Sequence, residues 1–247
     1  MTLIRLDSKK IFDIFCLFIW ILGGMCLLME SVHYLVSDLP LSRPTSKVID
    51  KVAWLFDLDD ESNISTWFNS FMLGCSSGVL WCISKSRQVK PSKIWVAMAI
   101  FLMLLSLDEV AMIHEFTGSL IKAMFPLPLV GIPRTWVIVG IGVLFLVVPL
   151  FMLHIKQFSG RIKRLVVLSG VLFFGGAVGM EVVSAIVERL YYTFEHDPTF
   201  VYVRFYEVID VVLYTIEEVM EMFGSAVYLY ALMQFLGECQ NKTNKST

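Results

Sequence analysis

The 247-residue chain predicts an all-α fold, a polytopic membrane helix bundle of about six transmembrane helices. Three observations carry this prediction. The composition is 57% hydrophobic and only 17% charged, with a mean hydropathy of +0.72. Soluble domains lie nearer roughly 45–50% apolar and about 25% charged. Apolar runs near the length of about 20 residues that crosses a bilayer fill almost the whole sequence. Basic residues gather between those runs and are absent from their middles.

Residues 1–247 therefore read as a single integral-membrane domain. A net charge of −2 gives no footprint for nucleic acid. The five cysteines form no Cys-x-x-Cys pair and are expected to be free, behaving as small hydrophobes.

Taken in order, the first span covers 11–35. It follows Lys9-Lys10, exceeds a signal-peptide core and lacks a small-x-small cleavage site, so it reads as a retained helix. The loop Asp57-Leu58-Asp59-Asp60-Glu61-Ser62-Asn63 resembles the start of a calcium loop. It lacks the glycine at loop position six and the closing glutamate at position twelve, where Phe68 stands. It reads as a solvated acidic loop that caps the second span, 65–83, through Asn63 or Ser65. From there it could serve as a lid or cation entrance.

The third span, 94–116, carries Asp108, Glu109, His114 and Glu115. Phe125-Pro126-Leu127-Pro128 then predicts an irregular or re-entrant connection. The fourth span is 134–155 and the fifth 164–188. In the fifth, Gly175, Gly176 and Gly179 precede Glu181, and Gly175–Gly179 has the small-xxx-small spacing of close helix approach. The sixth, 206–236, is long enough to begin outside the membrane.

Basic residues set the orientation. With both termini cytoplasmic, thirteen Lys and Arg face inward and seven face outward. The expected location is a bacterial-type inner membrane or a plasma membrane. Trp67, Trp81, Trp95 and Trp136 fall near span ends, as an interfacial belt would. His154 reads as an interface residue, and His196 in Glu195-His196-Asp197 as solvated.

The acids then define a level. At about 1.5 Å per residue, Asp108 lies roughly 22 Å from Lys93, and Glu181 roughly 25 Å from Arg164. Glu217, Glu30 and His33 fall near the same depth, in the outer half. Continuous helical phase makes Asp108 and Glu115 nearly eclipsed with Met112 between them. It sets Glu109 and His114 on opposite sides of that line, so one of the two is expected at a shared site. Ala177, Glu181, Ser184 and Glu188 form one stripe. Asp210, Tyr214, Glu217, Glu221, Ser225 and Tyr228 form another, with Glu218 at its edge, opposite Val212, Ile216, Val219, Met220 and Phe223.

Carboxylates sharing a water-poor level need a cation, shared protons or basic partners, and no span offers internal Lys or Arg. Glu30-Ser31-Val32-His33 has the Glu-x-x-His spacing of dimetal helix bundles, once only. The expected ligand set for a divalent metal is Glu30, His33, Asp108, His114, Glu115, Glu181, Glu217 and Glu221. Hard oxygens with an imidazole suit iron, manganese or zinc. Glu109 and Glu218 are the expected general acid and base.

No nucleophile motif, P-loop, dinucleotide fingerprint or histidine-box pattern is present. Three readings follow. The first is a membrane-embedded metal-dependent enzyme acting on a membrane lipid or a lipophilic small molecule. The second is a cation- or proton-coupled transporter. The third is an accessory subunit whose acids pair with a partner protein.

Overall fold

The computed structural model describes residues 7–36, 39, 42–86, 89, 92–124, 136–194 and 203–245. The Phe125–Pro128 connection and the Glu195–Asp197 loop lie outside the described residues. Among those described every regular element is a helix: α1 Ser8–Val36, α2 Arg43–Phe56, α3 Ile64–Ser84, α4 Ser92–Ala111, α5 Ile113–Met124, α6 Trp136–Ile155, α7 Gly160–Phe174, α8 Glu181–Phe194 and α9 Val203–Lys245. A π-helical segment, Gly175–Met180, joins α7 to α8 without a break.

Among the described residues, four helices are long and apolar enough to cross a membrane: Ser8–Val36, Lys93–Ala111, Gly160–Tyr191 and Tyr206–Asn241. The expectation of six is met only in part. The fourth apolar run is helical over the 20 residues Trp136–Ile155, of which Gly140–Ile155 forms a shorter apolar stretch. The second run, α3, is diluted by Ser65, Asn69, Ser70, Ser76 and Ser77. These side chains are spent inside the protein. Ser77 Oγ donates to the Ala99 carbonyl at 2.7 Å, and Ser70 Oγ donates to that of Ser106 at 2.7 Å. A helix enclosed by other helices can carry such groups because each finds a partner away from lipid.

The outer surface is correspondingly apolar. Leu17, Trp20, Leu104, Phe145, Leu146 and Val171 are all exposed, in keeping with contact to hydrocarbon. Helix α9, 43 residues long, is the central post. It spans roughly 65 Å, about twice the hydrocarbon thickness, and packs against α1, α3, α7 and the π segment.

Two buried clusters sit along it. One joins Ile19, Leu22 and Cys26 of α1 to Phe68 and Met72 of α3 and to Met222 and Ala226 of α9. The other, toward the opposite end, joins Leu80, Trp95, Met98, Ile162, Val166 and Leu232. Trp95 lies at its heart, fully buried and stacked on Phe235 at 5.2 Å, so it does not belong to an interfacial belt. His154 is likewise fully enclosed rather than interfacial, with its ring edge-on to Trp95 at 4.7 Å.

Two features depart from the apolar-run reading. The segment between the first two spans contains an amphipathic helix, α2. Its start is fixed by Ser42, whose hydroxyl accepts from the Thr45 N–H at 3.4 Å, and by Pro44 in the first turn. The expected span 94–116 also breaks at Met112, which adopts a left-handed φ of 53°. A non-glycine residue there costs about 1–2 kcal/mol, so the surroundings must impose it.

Candidate functional site

The loop after α2 is organised by one residue. Asn63 Nδ2 donates to the carbonyls of Trp54 (3.3 Å), Asp57 and Asp60 (2.7 Å). Its Oδ1 accepts from the N–H groups of Ser65 at 3.1 Å and Thr66 at 3.2 Å, closing the N-terminus of α3. The sequence anticipated this cap. Its effect is to fold Asp59 and Glu61 over the helix ends.

At the Met112 break, Asp108 caps the new helix. Its Oδ1 accepts from the His114 N–H at 2.8 Å, and its Oδ2 lies 3.2 Å from His114 Nδ1. The break swings His114 round beside Asp108. Glu109 and His114 therefore share one site, contrary to the expectation from an unbroken helix.

Glu109 is held in turn by α3 and α9. Asn69 Nδ2 donates to Glu109 Oε1 at 3.1 Å, while Ser225 Oγ donates to Asn69 Oδ1 at 2.9 Å. A hydroxyl hydrogen on Oδ1 fixes the orientation of the amide, so its N–H faces the carboxylate. Asn69 went unnoticed in the sequence. The available signal was an amide set in an apolar run.

On the far wall, the π segment is pressed against α9. A Cβ at Gly176 would stand 2.7 Å from the Glu217 carbonyl and 2.8 Å from Glu221 Cγ. Only glycine allows this approach. It brings the 1% exposed Glu181 toward Glu217 and Glu221, which are also buried.

These elements enclose a cavity of ≈ 190 Å³. Its wall takes Asp59 and Glu61 from the loop, Asp108 and Glu109 from α4, and His114 and Glu115 from α5. Glu181 enters from α8, and Glu217, Glu218 and Glu221 from α9, with Tyr214, Leu105, Phe173 and Ala177 completing it. Among the described residues, nine carboxylates and one imidazole thus face a common space, with neither Lys nor Arg in its lining.

Eight of the ten anticipated site residues meet there. Glu30 and His33 do not. They line a separate, wider recess with Tyr206, Glu207 and Asp210, on the other side of Tyr214. Similar depth put them at the right level, but their side of α1 faces elsewhere.

Outside the spans the electrostatics are explicit. Burial pushes the Glu61 carboxyl up to about 7, partly opposed by His114 and reinforced by Glu115, Asp108 and Asp59. Its Oε1 lies 3.8 Å from His114 Nε2, and its buried Oε2 has no hydrogen-bond partner among the described residues.

The donor chemistry fits a hard divalent cation. Among the described residues, however, no three His, Cys, Asp or Glu donors already stand together in coordinating geometry. The cavity is wider than a single-ion cage, so any ion in it would keep part of its water.

Fold and site together define a helical membrane-class protein with an acid-walled internal cavity. The chain belongs to the family described as domain of unknown function DUF8692, whose model matches residues 16–235. That match takes in every residue of the cavity wall. No curated protein and no solved structure matches the chain.

Proposed function

We infer that the acidic cavity is the active site of a membrane-embedded, metal-dependent enzyme acting on a lipid or lipophilic substrate. One observation carries the reading: among the described residues, nine carboxylates from several elements face one cavity together with a single imidazole and neither Lys nor Arg. Their mutual repulsion and desolvation call for compensation, and a partly hydrated divalent cation supplies it. Asp108, His114, Glu115, Glu181, Glu217 and Glu221 are the residues that would hold iron, manganese or zinc. When bound, such an ion would polarise a substrate oxygen or lower the pKa of a water. Glu109, steadied by Asn69, and Glu218 are the acid–base pair.

Elemental analysis of the purified protein tests this. Wild type is expected to carry one of these metals near stoichiometrically, and Glu181→Gln and Glu217→Gln to lose most of it. Metal-free protein that converted a membrane lipid extract equally well would overturn the reading.

A further inference from the structure

Helix α2 has two apolar stripes, and the protein covers one of them. At about 100° per residue its side chains fall into three sectors. Ile49, Ala53 and Phe56, spaced i, i+4, i+7, form the packed sector. Ala53 is buried, and Phe56 rests on the cluster that holds Cys26 and Met72. Val48, Val52 and Leu55 repeat the same spacing one residue earlier, yet all three are exposed, Val48 by 63%. Arg43, Lys47 and Lys51, four apart and exposed, run along the free edge of this second stripe.

The level of α2 follows from its neighbours. It packs beside α1, and Leu58, just past its end, shares a buried cluster with Cys26. Cys26 lies ten residues before Val36, the last residue of α1, or roughly 15 Å along the axis. Counted from Lys10 near the start of α1, about 30 Å of hydrocarbon takes roughly 20 residues and ends near Glu30. Rising from Leu58, α2 therefore begins in hydrocarbon and passes into the headgroup layer. Leu55 and Val52 occupy its deeper part, and Arg43 and Lys47 lie toward the surface. Leu28 and Leu35 of α1 are themselves exposed over this interval.

A bare apolar stripe at this level meets acyl chains. The basic row beside it says which lipid suits it. Among the described residues, no carboxylate stands within ion-pair distance of Arg43, Lys47 or Lys51. Asp50, the acid of this helix, instead accepts from Ser46 Oγ at 3.3 Å. Lys51 Nζ lies 5.4 Å from the centre of the Trp54 ring, an indole–ammonium pair suited to the headgroup layer. Long basic side chains reach from apolar surface to phosphate. Three cations without a protein counter-charge complement a head of net negative charge. A zwitterionic head brings its own amine and gains less from them.

We propose that α2 binds an anionic phospholipid, with acyl chains along Val52 and Leu55 and the phosphate against Lys47 and Lys51. The site goes beyond the enzymatic reading and does not depend on it.

The test uses the full-length chain in mixed vesicles of phosphatidylcholine and phosphatidylglycerol. One lipid or the other carries a nitroxide on its acyl chain, which quenches a nearby fluorophore. Cys82→Ser removes the exposed native thiol. The fluorophore NBD is attached at Leu55→Cys, with Val52→Cys as a second site on the stripe. Asp50→Cys is the reference on another side of the helix, and protein without an added cysteine gives the blank. Quenching at Leu55 and Val52 is expected to exceed that at Asp50. At equal content, nitroxide phosphatidylglycerol should quench more than nitroxide phosphatidylcholine. Adding Lys47→Gln and Lys51→Gln together should make the two lipids quench alike. All these substitutions fall at exposed positions, so the fold is retained. Quenching on the stripe no greater than at Asp50, as when a second copy or another protein covers it, would overturn the proposal. So would equal quenching by the two lipids with both lysines present, or a preference that survives their loss.

Discussion

At the scale of single residues, the site is held by a few polar side chains with defined hydrogens. Asn69 is the clearest. It is 1% exposed, accepts from Ser225 and donates to Glu109, joining three helices through one amide. Replacing it with alanine strands the Ser225 hydroxyl and removes the donor from Glu109. Asn69→Ala should therefore destabilise the protein by about 1–3 kcal/mol, measured by denaturant unfolding in micelles. In that background Ser225→Ala should cost little more, because the serine acts through the asparagine; an additive pair would show the bridge to be absent. The acids themselves could be picked out from the sequence, since a carboxylate in an apolar run stands out. Asn69 gives a weaker signal, because an amide in such a run satisfies many alternative partners.

At the scale of elements, depth was readable and direction was not. A rise of about 1.5 Å per residue sets the level of Asp108, Glu181 and Glu217 however the helices pack. Phase extrapolated through Met112 failed, because the chain turns left-handed there and restarts under an Asp108 cap. Glu30 and His33 show the complementary failure: the right level, on a face that opens into another recess. The glycine stretch does make a close approach, but through Gly176 rather than the Gly175–Gly179 pair, since a Cβ at Gly179 would meet nothing within 4 Å. Gly176→Ala is expected to cost about 1–3 kcal/mol, since backbone stands in the way of the new methyl. Gly179→Ala should be neutral or mildly stabilising. Thermal unfolding of both variants checks the pair, and equal losses would contradict the packing.

For the whole molecule, the loop over the cavity couples stability to pH. The Glu61 carboxyl is raised from an ordinary 4.5 to about 7. A raised carboxyl binds its proton more tightly in the folded state, so its contribution is fully present below pH 4.5. That contribution is lost as pH rises through about 7. The melting temperature of metal-free protein should accordingly fall across this window, and Glu61→Gln should flatten the fall. A wild-type profile indistinguishable from that of Glu61→Gln would show the carboxyl to be ordinarily solvated. The expected cap on α3 is formed by Asn63, whereas Glu61, expected in solvent, turns inward to line the cavity.

Composition and periodicity by themselves determined that this is a helical, membrane-class chain whose acids share a level. Hydrophobicity and helical rise are local quantities, readable one segment at a time. Tertiary structure alone decided which carboxylates meet, that α3 spends its polar groups inside the bundle, and that Trp95 and His154 are core. Those outcomes turn on helix rotation and on where helices break. Both are set by contacts between segments far apart in sequence, such as Gly176 on Glu217, Ser225 on Asn69 and Tyr228 on His154.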